Sequence, residues 1–191
     1  MNKRVEPARE IAVKAEALEL RALFEKHYAS MWRLLRRLGV PSAQLDDATQ
    51  EVFWVAARRL SDIEPGRESP FLYGVALRVA AGELRRQRTA MPLVEIGHAP
   101  SMVDERPSPE EQLVARQARQ LLDDVLNRMP SELRTVFVLF ELEGLEVRQI
   151  AELEAIPVGT ASSRLRRARE EFSAITKRVR AGLMSHGGFG S

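Results

Sequence analysis

Residues 145–170, LEVRQIAELEAIPVGTASSRLRRARE, restrict the fold more than any other stretch of the chain. Ile150, Ala151 and Leu153 give a short helix one apolar face, and residues 154–157, ending in Pro157, interrupt it. Val158, Ala161, Leu165 and Ala168 then return at helical spacing. Thr160, Ser162, Ser163, Arg164, Arg166, Arg167 and Arg169 stand between them. This is a helix-turn-helix pattern. Small hydroxyl side chains let a helix backbone approach a DNA major groove, and arginine grips a phosphate or a guanine edge. The plainer alternative is a solvated basic face on an ordinary helix pair.

The same helical grammar runs through most of the 191 residues. From Leu18, Leu20, Phe24, Met31, Leu35 and Leu38 form a stripe widened by Leu23, Tyr28 and Trp32, and Gly39 and Pro41 close it. Residues 46–60, DDATQEVFWVAARRL, predict a second helix with Asp46 and Asp47 at its electropositive start. Val52, Val55, Ala56 and one of Phe53 or Trp54 are its inward residues, while Asp47, Gln50 and Glu51 make a polar patch on neighbouring turns. Residues 61–70, with Pro65, Gly66 and Pro70, read as a loop. A third helix starts at Phe71 and ends in GELRRQR, where Arg78, Arg85, Arg86 and Arg88 place positive charge beside a polyanion. Phe71 and Tyr73 are an aromatic pair able to stack on an unpaired base, with core packing the simpler role for Phe71.

Periodicity weakens over 89–112, where Pro92, Gly97, Pro100, Pro107 and Pro109 accumulate. It resumes with Leu113, then with Leu121, Leu122, Val125, Leu126 and Met129, and past Pro130 with Leu133, Val136, Phe137 and Phe140. Phe172, Ile175 and Val179 extend the last helix, and the tail after Gly182 is flexible by composition. Residues 1–17, with Pro7, read as a frayed or loosely docked helical arm. The expected fold is all-α: two small helical domains, 18–88 and 113–180, joined by a flexible linker, 89–112, the second containing the helix-turn-helix.

Composition excludes several functions. Phe, Trp and Tyr are only 6% of the residues, and the apolar positions are rich in Ala, Leu and Val, which favours helices over a β-sandwich. A net charge of +2 conceals basic clusters at 78–88 and 164–180 around acidic residues at 104–111. Cysteine is absent, and the three histidines have no ligand spacing, so no metal site or cofactor is expected. No nucleophile accompanies the Asp47–Glu51 patch, so it does not read as catalytic machinery. No long apolar run predicts a membrane span and the N-terminus does not read as a secretory signal, so the cytoplasm is the expected location.

Taken together, these segments resemble the extracytoplasmic-function group of the bacterial sigma-70 family over nearly all of residues 18–180. DDATQEVFWVAARRL resembles the core-binding helix of region 2, SPFLYGVALRVAAGELRR the promoter-opening segment, and MPSELRTVFVLFELEGLEVRQIAELEAIPVGTASSRLRRARE region 4. The resemblance implies that Asp47, Gln50 and Glu51 engage the coiled coil of the RNA polymerase β′ subunit. It implies further that the 61–70 loop captures an extruded −10 base and that Arg78, Arg85 and Arg86 hold the displaced strand. Thr160, Ser162, Ser163, Arg166 and Arg167 would read the −35 major groove, with Arg164 on a phosphate or bracing its helix. An anti-sigma factor is an implied partner; catalysis by the chain itself is not. Four residues depart from the family pattern: Arg78 and Gly82 replace an Asn and an Asp, Phe71 replaces a tryptophan, and Ser162 stands at an often basic position. The competing reading is an ordinary helix-turn-helix regulator, which leaves the 46–88 arrangement without a purpose.

Overall fold

A computed structural model describes residues 6–89 and 109–186, with side chains for 19–89 and 116–181. Seven α-helices and no strand are found among the described residues. They form two compact units: the first contains α1 (Glu6–Leu38) as far as Leu35, α2 (Leu45–Arg58) and α3 (Glu68–Thr89). The second contains α4 (Pro109–Arg128), α5 (Ser131–Phe137), α6 (Val147–Leu153) and α7 (Val158–His186), and residues 36–42 group with it. The all-α, two-unit architecture with a helix-turn-helix in the second unit is the one expected.

In the first unit, Leu23, Met31, Leu34 and Leu35 of α1 are buried with Leu45, Ala48, Val52, Phe53 and Ala56 of α2 and Leu72, Val75, Ala76 and Val79 of α3. The stripe on α1 lies slightly off the expected line. His27 and Leu34 are inside, whereas Phe24 is 39% exposed and caps the unit by packing its ring 4.9 Å from that of Phe53. Phe53 rather than Trp54 enters the core; Trp54 is 63% exposed. Gly39 ends α1 with φ +95°, a backbone state that glycine adopts without steric cost. At the start of α2, the Trp32 indole N–H donates to the Asp46 carboxylate at 3.0 Å, tying α1 to α2.

Helix α3 starts at Glu68, three residues before the expected Phe71. Pro70 does not prevent this, because a proline in the first turn lacks only an N–H that has no intrahelical acceptor. The true connection is therefore 59–67, with a single 3-10 turn at Leu60–Asp62 and Gly66 at φ +83°.

The second unit buries Val125, Leu126, Leu133, Val136, Val138, Leu139, Ile150, Ala161, Leu165 and Ala168. Its rings of Phe137 and Phe172 stack at 4.5 Å. Helix α4 begins at Pro109, so the end of the expected 89–112 linker is helical; proline suits a first helical position. Residues 90–108 of that linker, residues 1–5 of the arm and 187–191 of the tail lie outside the described residues. Helix α7 continues through Gly182 to His186, because one glycine weakens a long helix without ending it.

Candidate nucleic-acid and polymerase interfaces

The turn between α5 and α6 sets the entry to the helix-turn-helix. Over Val138–Leu142 the helix widens: the Glu143 N–H reaches the Val138 carbonyl at 3.1 Å and the Leu145 N–H reaches that of Leu139 at 2.9 Å. Gly144, at φ +72°, completes the reversal. Helix α6 then starts with the Gln149 side-chain oxygen accepting the Glu146 N–H at 2.8 Å, the reciprocal half of a capping box. It ends at Leu153, and Ala155 takes φ 52° in the turn. This tight turn lets Ala151 of α6 and Ala161 of α7 both be buried.

With Ala161, Leu165 and Ala168 turned inward, the helical period places Ser162, Ser163, Arg166 and Arg167 outward, and all four are exposed. Val158 also faces outward, 50% exposed, and has no core role despite its helical spacing. The Ser162 hydroxyl donates to the Val158 carbonyl at 3.0 Å and that of Ser163 to the Thr160 carbonyl at 2.9 Å, so both present accepting oxygens. Thr160 lies half-buried on the shoulder of this face. Arg166 is held by Glu170 at 2.8 Å, an exposed i,i+4 pair worth about 0.3–0.5 kcal/mol and easily exchanged for a phosphate. Arg167 is exposed and makes no ion pair among the described residues.

Arg164 is different. Only 23% of its side chain is exposed, and it lies 3.4 Å from Glu132 of α5 and 3.9 Å from Glu154 in the turn. Burial pushes the Glu154 carboxyl above its usual range while Arg164 opposes that shift. These contacts tie α7 to α5 and to the turn before it. Arg169, paired with Glu141 at 2.7 Å and set 5.0 Å over the Phe140 ring, fastens α7 to the widened turn in the same way.

In the first unit Asp47, Gln50 and Glu51 share the exposed face of α2. On α3, Arg78 and Arg85 are exposed two turns apart, and Arg88 joins them. Arg86 does not share their stripe. It turns towards α2, 2.7 Å from Glu83 and 4.0 Å from Glu51, so the α2 patch and the basic helix meet at this residue. Beside the connecting loop, the Arg59 guanidinium lies 5.6 Å over the half-buried Phe71 ring. Two features were not read from the sequence. They are the exposure of Trp54, with Arg58 5.3 Å over its ring, and the carboxylates that hold Arg164. Trp54 could have been found, since it lies seven residues after Asp47 and therefore on the same face. No group of acidic or histidine side chains able to hold a metal occurs among the described residues.

A helix-turn-helix with a small, hydroxyl-bearing, arginine-rich face, joined in one chain to a helical unit with an acidic patch and a basic helix, defines a two-part DNA-binding transcription protein. Comparison with known proteins gives its family. Residues 23–90 match the model for sigma-70 region 2 and residues 119–172 that for sigma-70 region 4. The ECF RNA polymerase sigma-E factor of Escherichia coli is 31% identical over 141 residues, 69% of this chain and 73% of the relative. The RNA polymerase sigma factor CnrH of Cupriavidus metallidurans is 27% identical over 162 residues, 80% and 84% of the two chains. The chain belongs to the sigma-70 family, as an extracytoplasmic-function sigma factor, and confers promoter recognition on bacterial RNA polymerase.

Solved structures share the fold. That of CnrH in complex with the cytosolic domain of CnrY aligns with a TM-score of 0.62 at 21% identity, covering 89% of this chain and 97% of the other. That of the sigma factor RpoE in complex with the anti-sigma factor NepR, from Bartonella quintana, aligns with the same TM-score at 17% identity, covering 82% and 96%. Family membership removes the ordinary-regulator alternative. Among the described residues no helix is long and apolar enough to cross a membrane.

Proposed function

We propose that the two units divide promoter recognition between them. Residues 113–180 act as the −35 reader and 18–88 as the unit that joins the core enzyme and holds the opened −10 strand. In the first role, Ser162, Ser163, Arg166 and Arg167 enter the major groove with Thr160 at the edge, and Arg164 fixes the angle of α7. In the second, Asp47, Gln50 and Glu51 accept charge-assisted hydrogen bonds from basic residues of the β′ coiled coil. Residues 61–70 receive an extruded base, with stacking offsetting part of the unpairing cost. Arg78 and Arg85 hold displaced-strand phosphates, and Arg86 joins them once its carboxylate partners release it. Without Asn and Asp at 78 and 82, the −10 preference differs from that of relatives that carry them, and Ser162 shifts the −35 preference.

The chain performs no covalent step; the polymerase supplies phosphoryl transfer, and the factor acts in the cytoplasm through binding energy alone. The observation that carries this reading is the exposure of the acidic α2 face and the α7 face in one chain, each on a helix whose opposite side is buried. Run-off transcription from a genomic promoter library with purified core polymerase tests it: transcripts that depend on the protein are expected, and their absence would sink the reading. An anti-sigma factor is the second partner, by analogy with the relatives solved with CnrY and NepR. It covers the Asp47 face, so it should compete with core polymerase; undiminished simultaneous binding would exclude occlusion there.

A further inference from the structure

We infer that Trp54, with the Arg58 guanidinium laid over it, is the apolar anchor of the core-polymerase contact, and that the charge order along α2 sets the direction in which the partner helix lies. The inference rests on the polymerase reading of the Asp47 face given above. Residues 47, 50, 51, 54 and 58 recur at three- and four-residue steps, so they fall on one stripe of α2, opposite the buried Leu45, Ala48, Val52 and Ala56. That stripe is about 16 Å long at a rise of 1.5 Å per residue, the reach of one helix laid across another.

Trp54 stands in its middle, 63% exposed, with more exposure than Phe24 or Val158. Phe24 is explained by its ring contacts with Tyr28 and Phe53, and Val158 by the groove-facing end of α7. Trp54 has no such explanation within its own unit. A solvated indole leaves a large apolar surface in water, and tryptophan is among the residues that dominate binding energy when an interface covers them. Arg58, with its Cζ 5.3 Å from the ring centroid, restrains the indole before binding and so reduces the entropy lost when a partner closes over it.

The stripe also carries a charge order along its length. Asp47 and Glu51 carry negative charge towards the start of α2, Trp54 is apolar, and Arg58 is positive near its end. The complementary surface has basic residues, then an apolar socket, then a carboxylate, in that order. Reversing the partner would set like charges against each other at both ends. A nucleic-acid strand fits poorly, because along α2 its phosphates would run past two carboxylates before reaching Arg58, and Arg86 beside Glu51 is already paired with Glu83 and Glu51. The occupant is therefore a protein helix of mixed charge, that of the core enzyme.

Titration of labelled full-length protein with core polymerase tests this with the variants W54A, W54F and R58E. Each side chain is exposed, so each variant should melt within about 2 °C of the parent. W54A should weaken core binding about tenfold or more, W54F should lose less than W54A, and R58E should weaken binding independently. If the parent binds core polymerase while W54A stays within about twofold of it, the anchor is refuted and the proposed function survives. If W54A keeps its core affinity and instead loses affinity for opened promoter strand, the residue belongs to the nucleic-acid surface and the inference is equally overturned. If the parent itself does not bind, the polymerase reading of the α2 face fails first.

Discussion

Ala155 adopts φ 52° in the turn of the helix-turn-helix, where its Cβ crowds the backbone. Glycine takes this conformation freely, so A155G should stabilise the second unit by about 0.5–1 kcal/mol, read as a higher unfolding temperature. An unchanged or lower temperature would mean that the turn relaxes around the alanine. His27 poses the opposite case. It is only 7% exposed, its Nε2 is buried without a hydrogen-bond partner, and burial with Lys26 nearby holds its pKa below the usual 6.5, Glu68 opposing. The unfolded chain takes up a proton at His27 before the folded chain does. The stability due to a neutral His27 is therefore complete above about pH 6.5 and falls as pH drops towards the depressed folded value. The slope cannot exceed about 1.4 kcal/mol per pH unit for one group. Unfolding of H27Q between pH 7.5 and 5 should be flatter than that of the parent; parallel curves would assign the acid sensitivity elsewhere. Glu68 is held below its usual 4.5 by the Gly66 N–H and its own, so its contribution is present above about pH 4.5 and is lost as pH falls below that.

At the scale of the helix, Arg164 and Arg167 of α7 should behave in opposite ways although three residues apart. R164A strands the carboxylates of Glu132 and Glu154, the latter already burdened by burial, and should cost about 1 kcal/mol of stability. R167A should leave the melting temperature unchanged, weaken −35 duplex binding, and lower the salt dependence of that binding by about one counterion. Calorimetry and salt titrations of both variants test the pair; matching behaviour would contradict the bracing geometry. The contrast also shows what was legible in the sequence. Helical period set Thr160, Ser162, Ser163, Arg164, Arg166, Arg167 and Arg169 apart from the apolar stripe, because that sorting needs only the neighbours along the same helix. It could not say that Arg164 meets Glu132 and Glu154, or that Arg86 reaches Glu51, because those partners lie on other elements. Phe53 and Trp54 stand as alternatives in the sequence reading although the same period separates them: Trp54 lies seven residues after Asp47 and so on the polar face, which leaves Phe53 for the core. The start of α3 was misjudged because Pro70 breaks a helix interior but not its first turn.

For the whole molecule, the useful question is how the two units share the work on one promoter. If α3 and α7 touch separate parts of the DNA, their contributions to holoenzyme binding should be independent, since distant sites without shared partners add within about 0.5 kcal/mol. R85A on α3 and R167A on α7 isolate the two contacts, as both side chains are exposed and neither has a recorded carboxylate partner among the described residues. R167A should weaken binding to a closed, fully duplex promoter, while R85A should leave that step nearly intact and reduce the fraction of complexes that open. Permanganate footprinting of unpaired thymines reports opening, and filter binding reports total affinity. On a promoter with the −10 segment already mismatched, unpairing has been done in advance, so whatever defect R85A retains there is loss of strand contact alone. The double variant should then lose the sum of the two single losses. A loss well short of that sum would mean that one contact forms only after the other, making −35 binding and strand capture a single coupled step.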